Sequence, residues 1–169
     1  MSKRPWELGA LPAPAIPLER TFEGFLGLEW IELTLSGARV RFEVRDNLKQ
    51  PLGLLHGGIY SAVAETVASV ATVHAVSRDG LVASGLSNSA SFLRPVTAGT
   101  VEVAARLRHH DDREWLWSHD FFDGQQRLCA IVDVTIAVRP APGDAGMGVV
   151  APPRPLQDRP SGQADGSQR

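Results

Sequence analysis

The sequence predicts an α+β fold in which an antiparallel sheet wraps one long central helix, and three observations carry that prediction. One stretch, residues 57–76, is apolar at helical spacing. Roughly six other segments read as strands, several of them alternating apolar with polar residues as half-buried strands do. No strand–helix–strand rhythm of a parallel sheet accompanies them.

Taken in order, residues 1–20 carry Pro5, Pro12, Pro14 and Pro17 without an apolar core segment, which predicts a flexible arm and no signal peptide. A cytoplasmic location is the default that follows. From Trp30 to Leu35 and from Ala38 to Val44, the rows Ile31, Leu33, Leu35 and Val40, Phe42, Val44 flank a Ser36-Gly37 turn and predict a hairpin with one buried face. In the segment Gly57–Val76, Ile59, Val63, Val67 and Val70 recur at helical spacing, and Ala62, Ala64, Ala68, Ala71 and Ala75 leave almost no polar side. A helix apolar all round is a buried helix. Glu65 and His74 interrupt it, and it reads as too short for a membrane span. Gly80 then breaks the pattern. Leu81–Leu93 reads as a long strand rich in small residues (Ser84, Gly85, Ser87, Asn88, Ser89, Ser91), which allow a helix or a ligand to approach closely. Thr100–Leu107, Glu114–Phe122 and Leu128–Val138 complete a meander, with Asp123-Gly124 as a hairpin turn. These boundaries give a domain over residues 21–139. The Pro-, Gly- and Gln-rich residues 140–169 are expected to be a disordered tail.

Composition narrows the function. A chain of 169 residues with 43% hydrophobic residues, 21% charged residues and a formal net charge of −2 suits one water-soluble domain. Its basic residues are dispersed, without the stripe that nucleic acid requires. The lone Cys129 precludes an intrachain disulfide and sits in an apolar strand, where it reads as a core residue. His109, His110, Asp111 and Asp112 are all possible metal ligands, but neighbours on a strand point to opposite faces and no second pair converges on them. Serine-hydrolase elbow, phosphate loop and dinucleotide fingerprint are all absent.

The chemistry gathers on the central helix. A carboxylate among apolar neighbours is costly unless it is partnered or used, and no Lys or Arg lies within a turn or two of Glu65. Ser69, four residues on, shares its face and offers a hydroxyl. At the helix start, Gly57 and Gly58 leave backbone N–H groups uncovered where the helix dipole favours a developing oxyanion. His56 and Gln50 precede them in a loop shaped by Pro51 and Gly53. Gly57 and Glu65 are separated by roughly 12 Å of helix at 1.5 Å per residue. One carbonyl needs its oxyanion donor and its nucleophile or base each within about 3 Å. One copy of the helix therefore falls short, and two antiparallel copies across a two-fold axis would complete two equivalent sites.

The segments LLHGGIYSAVAETVAS, GLSNSASFLRPVTAGTVEVAARL and RLCAIVDVTIAVRP closely resemble the hotdog-fold acyl-CoA thioesterases that carry HGG before a helix and a glutamate on it. The resemblance spans roughly residues 20–140. It is greatest to the 4-hydroxybenzoyl-CoA thioesterases with a helix-borne glutamate, a branch near the phenylacetate-pathway and dihydroxynaphthoyl-CoA thioesterases. It implies hydrolysis of an aromatic acyl-CoA thioester, with Gly57 N–H on the carbonyl, Glu65 of a facing subunit as nucleophile or general base, Ser69 orienting it and Gln50 positioning the reacting groups. His56 is a further catalytic candidate, and Gly58 is a substrate-binding one. Arg94 matches a position that contacts coenzyme A phosphates. Arg113 would attract phosphate where the family has small hydroxyl residues, while Asp112 would repel it and Pro142 stands in a region where the family has arginine. No cofactor is expected, since coenzyme A is part of the substrate. A homo-oligomer of at least two chains, with a tetramer expected, binds neither nucleic acid nor membrane on this reading. A noncatalytic acyl-CoA sensor and a purely structural dimer are the rival classes. The first lacks an output module, and the second gives Glu65 no reason to be there.

Overall fold

The structure is a computed structural model that describes residues 15–141. The arm up to residue 14 and the tail from residue 142 lie outside the described residues. Within the expected arm, Leu18–Arg20 forms a 3-10 turn, and Thr21 accepts the Gly24 N–H at 3.2 Å to start a short helix, α1 (Phe22–Leu26). Gly27 ends α1 in the left-handed conformation at φ 67°, open to glycine at no steric cost.

Six strands follow: β1 (Glu29–Leu33), β2 (Gly37–Glu43), β3 (Leu81–Phe92), β4 (Thr100–His110), β5 (Glu114–Phe122) and β6 (Leu128–Pro140). They form one antiparallel sheet in the order β1-β2-β4-β5-β6-β3. The long helix α2 (Gly57–Val76), with the bounds the sequence predicts, lies in the curve of this sheet. This is the hotdog fold.

The small residues of α2 explain how closely it lies. Val63, Ala64, Val67, Ala68 and Ala71 are fully buried against Val40, Val103, Val132 and Ile136 of the sheet. Each such valine contributes about 1.5–3 kcal/mol. Two polar groups are carried into this core with their partners: Thr72 donates to Ala68 O at 2.8 Å and accepts the Trp117 indole N–H at 2.9 Å. With the Ser77–Asp79 turn, the helical run reaches 23 residues and is long and apolar enough to cross a membrane, contrary to the expectation from sequence. Its packing inside the sheet is that of a core helix.

One face of α2 is not covered. Glu65 is exposed, and Gly58, Ala62, Thr66, Ser69 and Val73 are only partly buried or exposed. The expectation that an all-apolar helix is buried all round is therefore corrected within a single chain.

A second correction falls in the first hairpin. Val40, Phe42 and Val44 are buried as expected, but Ile31 is 45% and Leu35 64% exposed, and Trp30 is buried instead. The pairing slips between Trp30↔Val40 and Glu32↔Arg39, so a bulge at Ile31 moves Trp30 and Leu33 onto one face. Leu35 lies past the end of β1.

The strand turns are built from aspartates. Asp123 Oδ1 accepts the Gln125 and Arg127 N–H groups at 2.9 and 3.0 Å, and the Arg127 guanidinium holds its carboxyl below the usual range. Asp111 likewise accepts the Arg113 and Glu114 N–H groups, each at 2.8 Å, while His110 packs on Trp115 with ring centroids 4.8 Å apart. The run His109–Asp112 thus closes the β4–β5 hairpin.

Candidate active site

The loop before α2 is held at both ends. Gln50 N–H donates to Leu54 O at 2.8 Å, Gly53 N–H to Gln50 O at 2.9 Å and His56 N–H to Leu48 O at 2.9 Å. Leu55 N–H donates to Val96 O at 2.7 Å, tying the loop to the segment after β3. Between these two segments and the first turn of α2 lies a cleft of about 310 Å³ that includes Gln50, Gly57 and Arg94 among its walls.

The N-terminus of α2 is capped by its own neighbour. His56 Nδ1 accepts the Gly58 N–H at 2.9 Å, and His56 O accepts the Ile59 N–H at 2.9 Å. That bond fixes the neutral tautomer of His56, with its proton on Nε2. Among the described residues the Gly57 N–H has no hydrogen-bond partner, and Gly57 lines the cleft. A free N–H at the positive end of a 20-residue helix is a polarising group for a carbonyl. Gly58, with its N–H engaged by His56, does not line the cleft.

Burial grades the lining. Leu55, Tyr60 and Val96 are 6%, 4% and 5% exposed and form the floor, while Phe92 and Leu93 are 58% and 51% exposed and form the rim with Arg94. Phe92 leans over the helix start, so that a Cβ on Gly57 would lie 3.0 Å from its ring. Tyr60 touches Phe92 with centroids 5.7 Å apart and meets Phe121 edge-on at 5.2 Å. Burial, with the Cys129 thiol alongside, raises the Tyr60 phenol well above its ordinary range and keeps it neutral. Of the aromatic residues Trp30, Tyr60, Phe92 and Trp117, Tyr60 and Phe92 line the cleft, and Trp30 and Trp117 are core residues outside it.

Glu65 is not part of this cleft. Two turns further along α2, it rests against β3, where a Cβ on Gly85 would lie 3.1 Å from Oε1. Nearby, Asn88 Nδ2 donates to Ser61 O at 3.0 Å, so two of the small β3 residues serve the docking of α2. Ser69 makes no hydrogen bond to Glu65 among the described residues. Arg113 sits at the β4–β5 hairpin, and eight residues of strand, about 26 Å, separate it from Phe121 beneath Tyr60. A single chain therefore brings together Gln50, Gly57 and Arg94, keeps His56 as their cap, and leaves Glu65, Ser69 and Arg113 elsewhere. Leu54, Leu55, Pro95 and Val96 were not anticipated as lining. Nothing in their local pattern marks them, since the contact between the two loops creates the wall.

A long helix cradled in one curved antiparallel sheet defines the class of hotdog-fold proteins. Residues 52–130 match the Thioesterase superfamily. The proofreading thioesterase EntH of Cronobacter turicensis is 33% identical over 136 residues, covering 80% of this chain and 96% of that one. The 1,4-dihydroxy-2-naphthoyl-CoA hydrolase of Escherichia coli is 31% identical over 120 residues, covering 71% and 88%. A solved structure from Mycobacterium tuberculosis, described as that of a candidate esterase, superposes with a TM-score of 0.69 at 33% identity, covering 72% of this chain and 98% of that one. The chain belongs to the Thioesterase superfamily and is a thioester hydrolase.

Proposed function

We propose that this chain hydrolyses an aromatic acyl-CoA, of the 4-hydroxybenzoyl type, to the free acid and coenzyme A. One observation carries the reading: the free Gly57 N–H, Gln50 and Arg94 share a cleft whose floor is apolar and aromatic. The thioester carbonyl accepts from Gly57 N–H, the acyl group lies in the cleft that Phe92 and Tyr60 line, and Arg94 at the rim receives the phosphates of coenzyme A. Gln50 positions the thioester or the attacking water.

The carboxylate comes from a second copy. Glu65 lies on the open face of α2, beside β3, and β3 is a 12-residue edge strand paired on one side only, by β6. Such an edge is a template for another strand. A copy joined there about a two-fold axis sets one α2 against the other and carries Glu65 toward the facing Gly57. Glu65 then either attacks the thioester carbon, giving an anhydride that water afterwards cleaves to the free acid, or takes a proton from a water that attacks that carbon. In both, the tetrahedral oxyanion rests on Gly57 N–H and the thiolate leaves with the electron pair of the C–S bond. Ser69 and His56 act by positioning, the first beside Glu65 and the second as the cap. No cofactor takes part in this scheme.

The test is release of thiol from 4-hydroxybenzoyl-, phenylacetyl-, naphthoyl- and hexanoyl-CoA by the wild type and Glu65→Ala. The reading requires turnover of an aryl-CoA that falls by several orders of magnitude in the variant. Turnover that survives the substitution removes Glu65 from its role. Tight binding without turnover on any substrate points to an acyl-CoA sensor.

A further inference from the structure

We infer that Tyr60 is the residue that ends the acyl cleft, and that it restricts this enzyme to acyl groups of a single ring, against fused rings and long chains. The inference rests on the acyl-CoA reading above and narrows it.

Three relationships support it. Tyr60 is the largest of the three buried floor residues, and it comes from the first turn of α2, three residues after the N–H donor Gly57. Gly57 and Tyr60 stand one helical turn apart and line the same cleft, so an acyl group whose carbonyl sits on Gly57 N–H has the Tyr60 ring as its neighbour on the floor. Behind that ring the path is closed by Phe121, held edge-on at 5.2 Å, and by the Cys129 thiol at the phenol end. Both are fully buried, so Tyr60 stands between the cleft and this part of the core.

The floor is also stiff. Tyr60 is held between Phe92 and Phe121, on a helix whose next turns are fixed by Asn88 at Ser61 O and by Trp117 at Thr72. Rotating its ring aside would break both aromatic contacts and uncover buried apolar surface. Phe92 is exposed at the rim, whereas Tyr60 is buried at the floor. The floor is the fixed end of the cleft, and it sets length.

The test compares kcat/KM for benzoyl-, 2-naphthoyl- and decanoyl-CoA in the wild type, Tyr60→Ala and Tyr60→Leu. The leucine variant keeps an apolar floor, so a folded protein is available even where alanine destabilises the core. The wild type is expected to prefer benzoyl-CoA. In the variants, the ratios of naphthoyl to benzoyl and of decanoyl to benzoyl are expected to rise about tenfold or more, the size of effect that a few methylene groups in an apolar pocket produce. A general loss of activity with unchanged ratios, in a variant that unfolds cooperatively, makes Tyr60 a packing residue and overturns the inference. A wild type that turns over benzoyl- and naphthoyl-CoA equally also overturns it while leaving the acyl-CoA reading intact. Failure of the wild type on all three substrates contradicts both.

Discussion

The carboxylate of Glu65 lies directly over the bare backbone of Gly85: a Cβ at residue 85 would stand 3.1 Å from Oε1. The space for this carboxylate, the proposed catalytic group, is thus reserved by the absence of a side chain on the neighbouring strand.

Gly85→Ala must displace that carboxylate by a few tenths of an ångström. Displacements up to about 1 Å at a reacting group cost up to 10²-fold in rate, so a fall in kcat of about tenfold is expected. The thermal midpoint should change little, because the new methyl meets a flexible side-chain end. Steady-state kinetics and a melting curve on the same preparation check both halves.

Gly57→Pro deletes the proposed oxyanion donor at a position where proline is tolerated. The first helical residue needs no intrahelical N–H partner, and His56 at ψ 133° already has the extended backbone that precedes proline. Removing one such donor lowers kcat by about 10²–10³-fold. Gly57→Ala keeps the N–H and displaces only the Phe92 ring, so it should retain far more activity. Equal losses in the two variants would assign the effect to crowding.

His56 as a cap and His56 as a proton carrier make different predictions. Asparagine offers a side-chain oxygen for the Gly58 N–H, and alanine does not, so His56→Ala should cost about 1 kcal/mol of stability that His56→Asn retains. If His56→Asn also retains kcat, capping is its whole contribution. Urea unfolding and initial rates decide the point.

Stability should fall in acid because of His119. It is fully buried, donates Nδ1–H to Val132 O at 3.1 Å, and has its other nitrogen unpartnered. Desolvation pushes its pKa down from 6.5 to about 4. Between those values the unfolded chain binds a proton that the native chain refuses, so stability rises with pH there. The contribution is complete above about 6.5 and is lost as pH falls toward 4, about 3 kcal/mol in all. His119→Gln, which cannot titrate but can donate to Val132 O, should flatten that limb in urea titrations across the range.

The buried bond between Trp117 and Thr72 gives a prediction independent of catalysis. Thr72→Val strands the indole N–H inside the core and should cost about 1–3 kcal/mol, whereas Thr72→Ser keeps the oxygen. Denaturant midpoints at constant slope measure the difference.

Local pattern made much of the fold readable. The bounds of α2 were visible because glycines open it and no polar stretch breaks it before Val76, strands β4 and β5 because they alternate regularly, and β3 because a run of small residues follows Gly80. The bulge at Ile31 was not visible, since a one-residue slip leaves no compositional mark and exchanges which side chains are buried. Neither was the open face of α2. Alanines and valines look alike on both sides of such a helix, and only the sheet's extent decides which side is covered. In the site, Gly57 and Glu65 stood out as a helix start and an isolated charge. The cleft between Gly57 and the end of β3 is a product of distant segments meeting at the Leu55–Val96 bond.

The central claim is that each active site combines Gly57 of one subunit with Glu65 of another, and complementation tests it most directly. Glu65→Ala and Gly57→Pro, each inactive alone, are unfolded together in equal amounts and refolded. In a mixed dimer one site carries both defects and the other neither, so random pairing returns about a quarter of wild-type activity. Recovery near that level supports the shared site. A mixture as inactive as its parents, with mixed dimers shown to have formed, contradicts it.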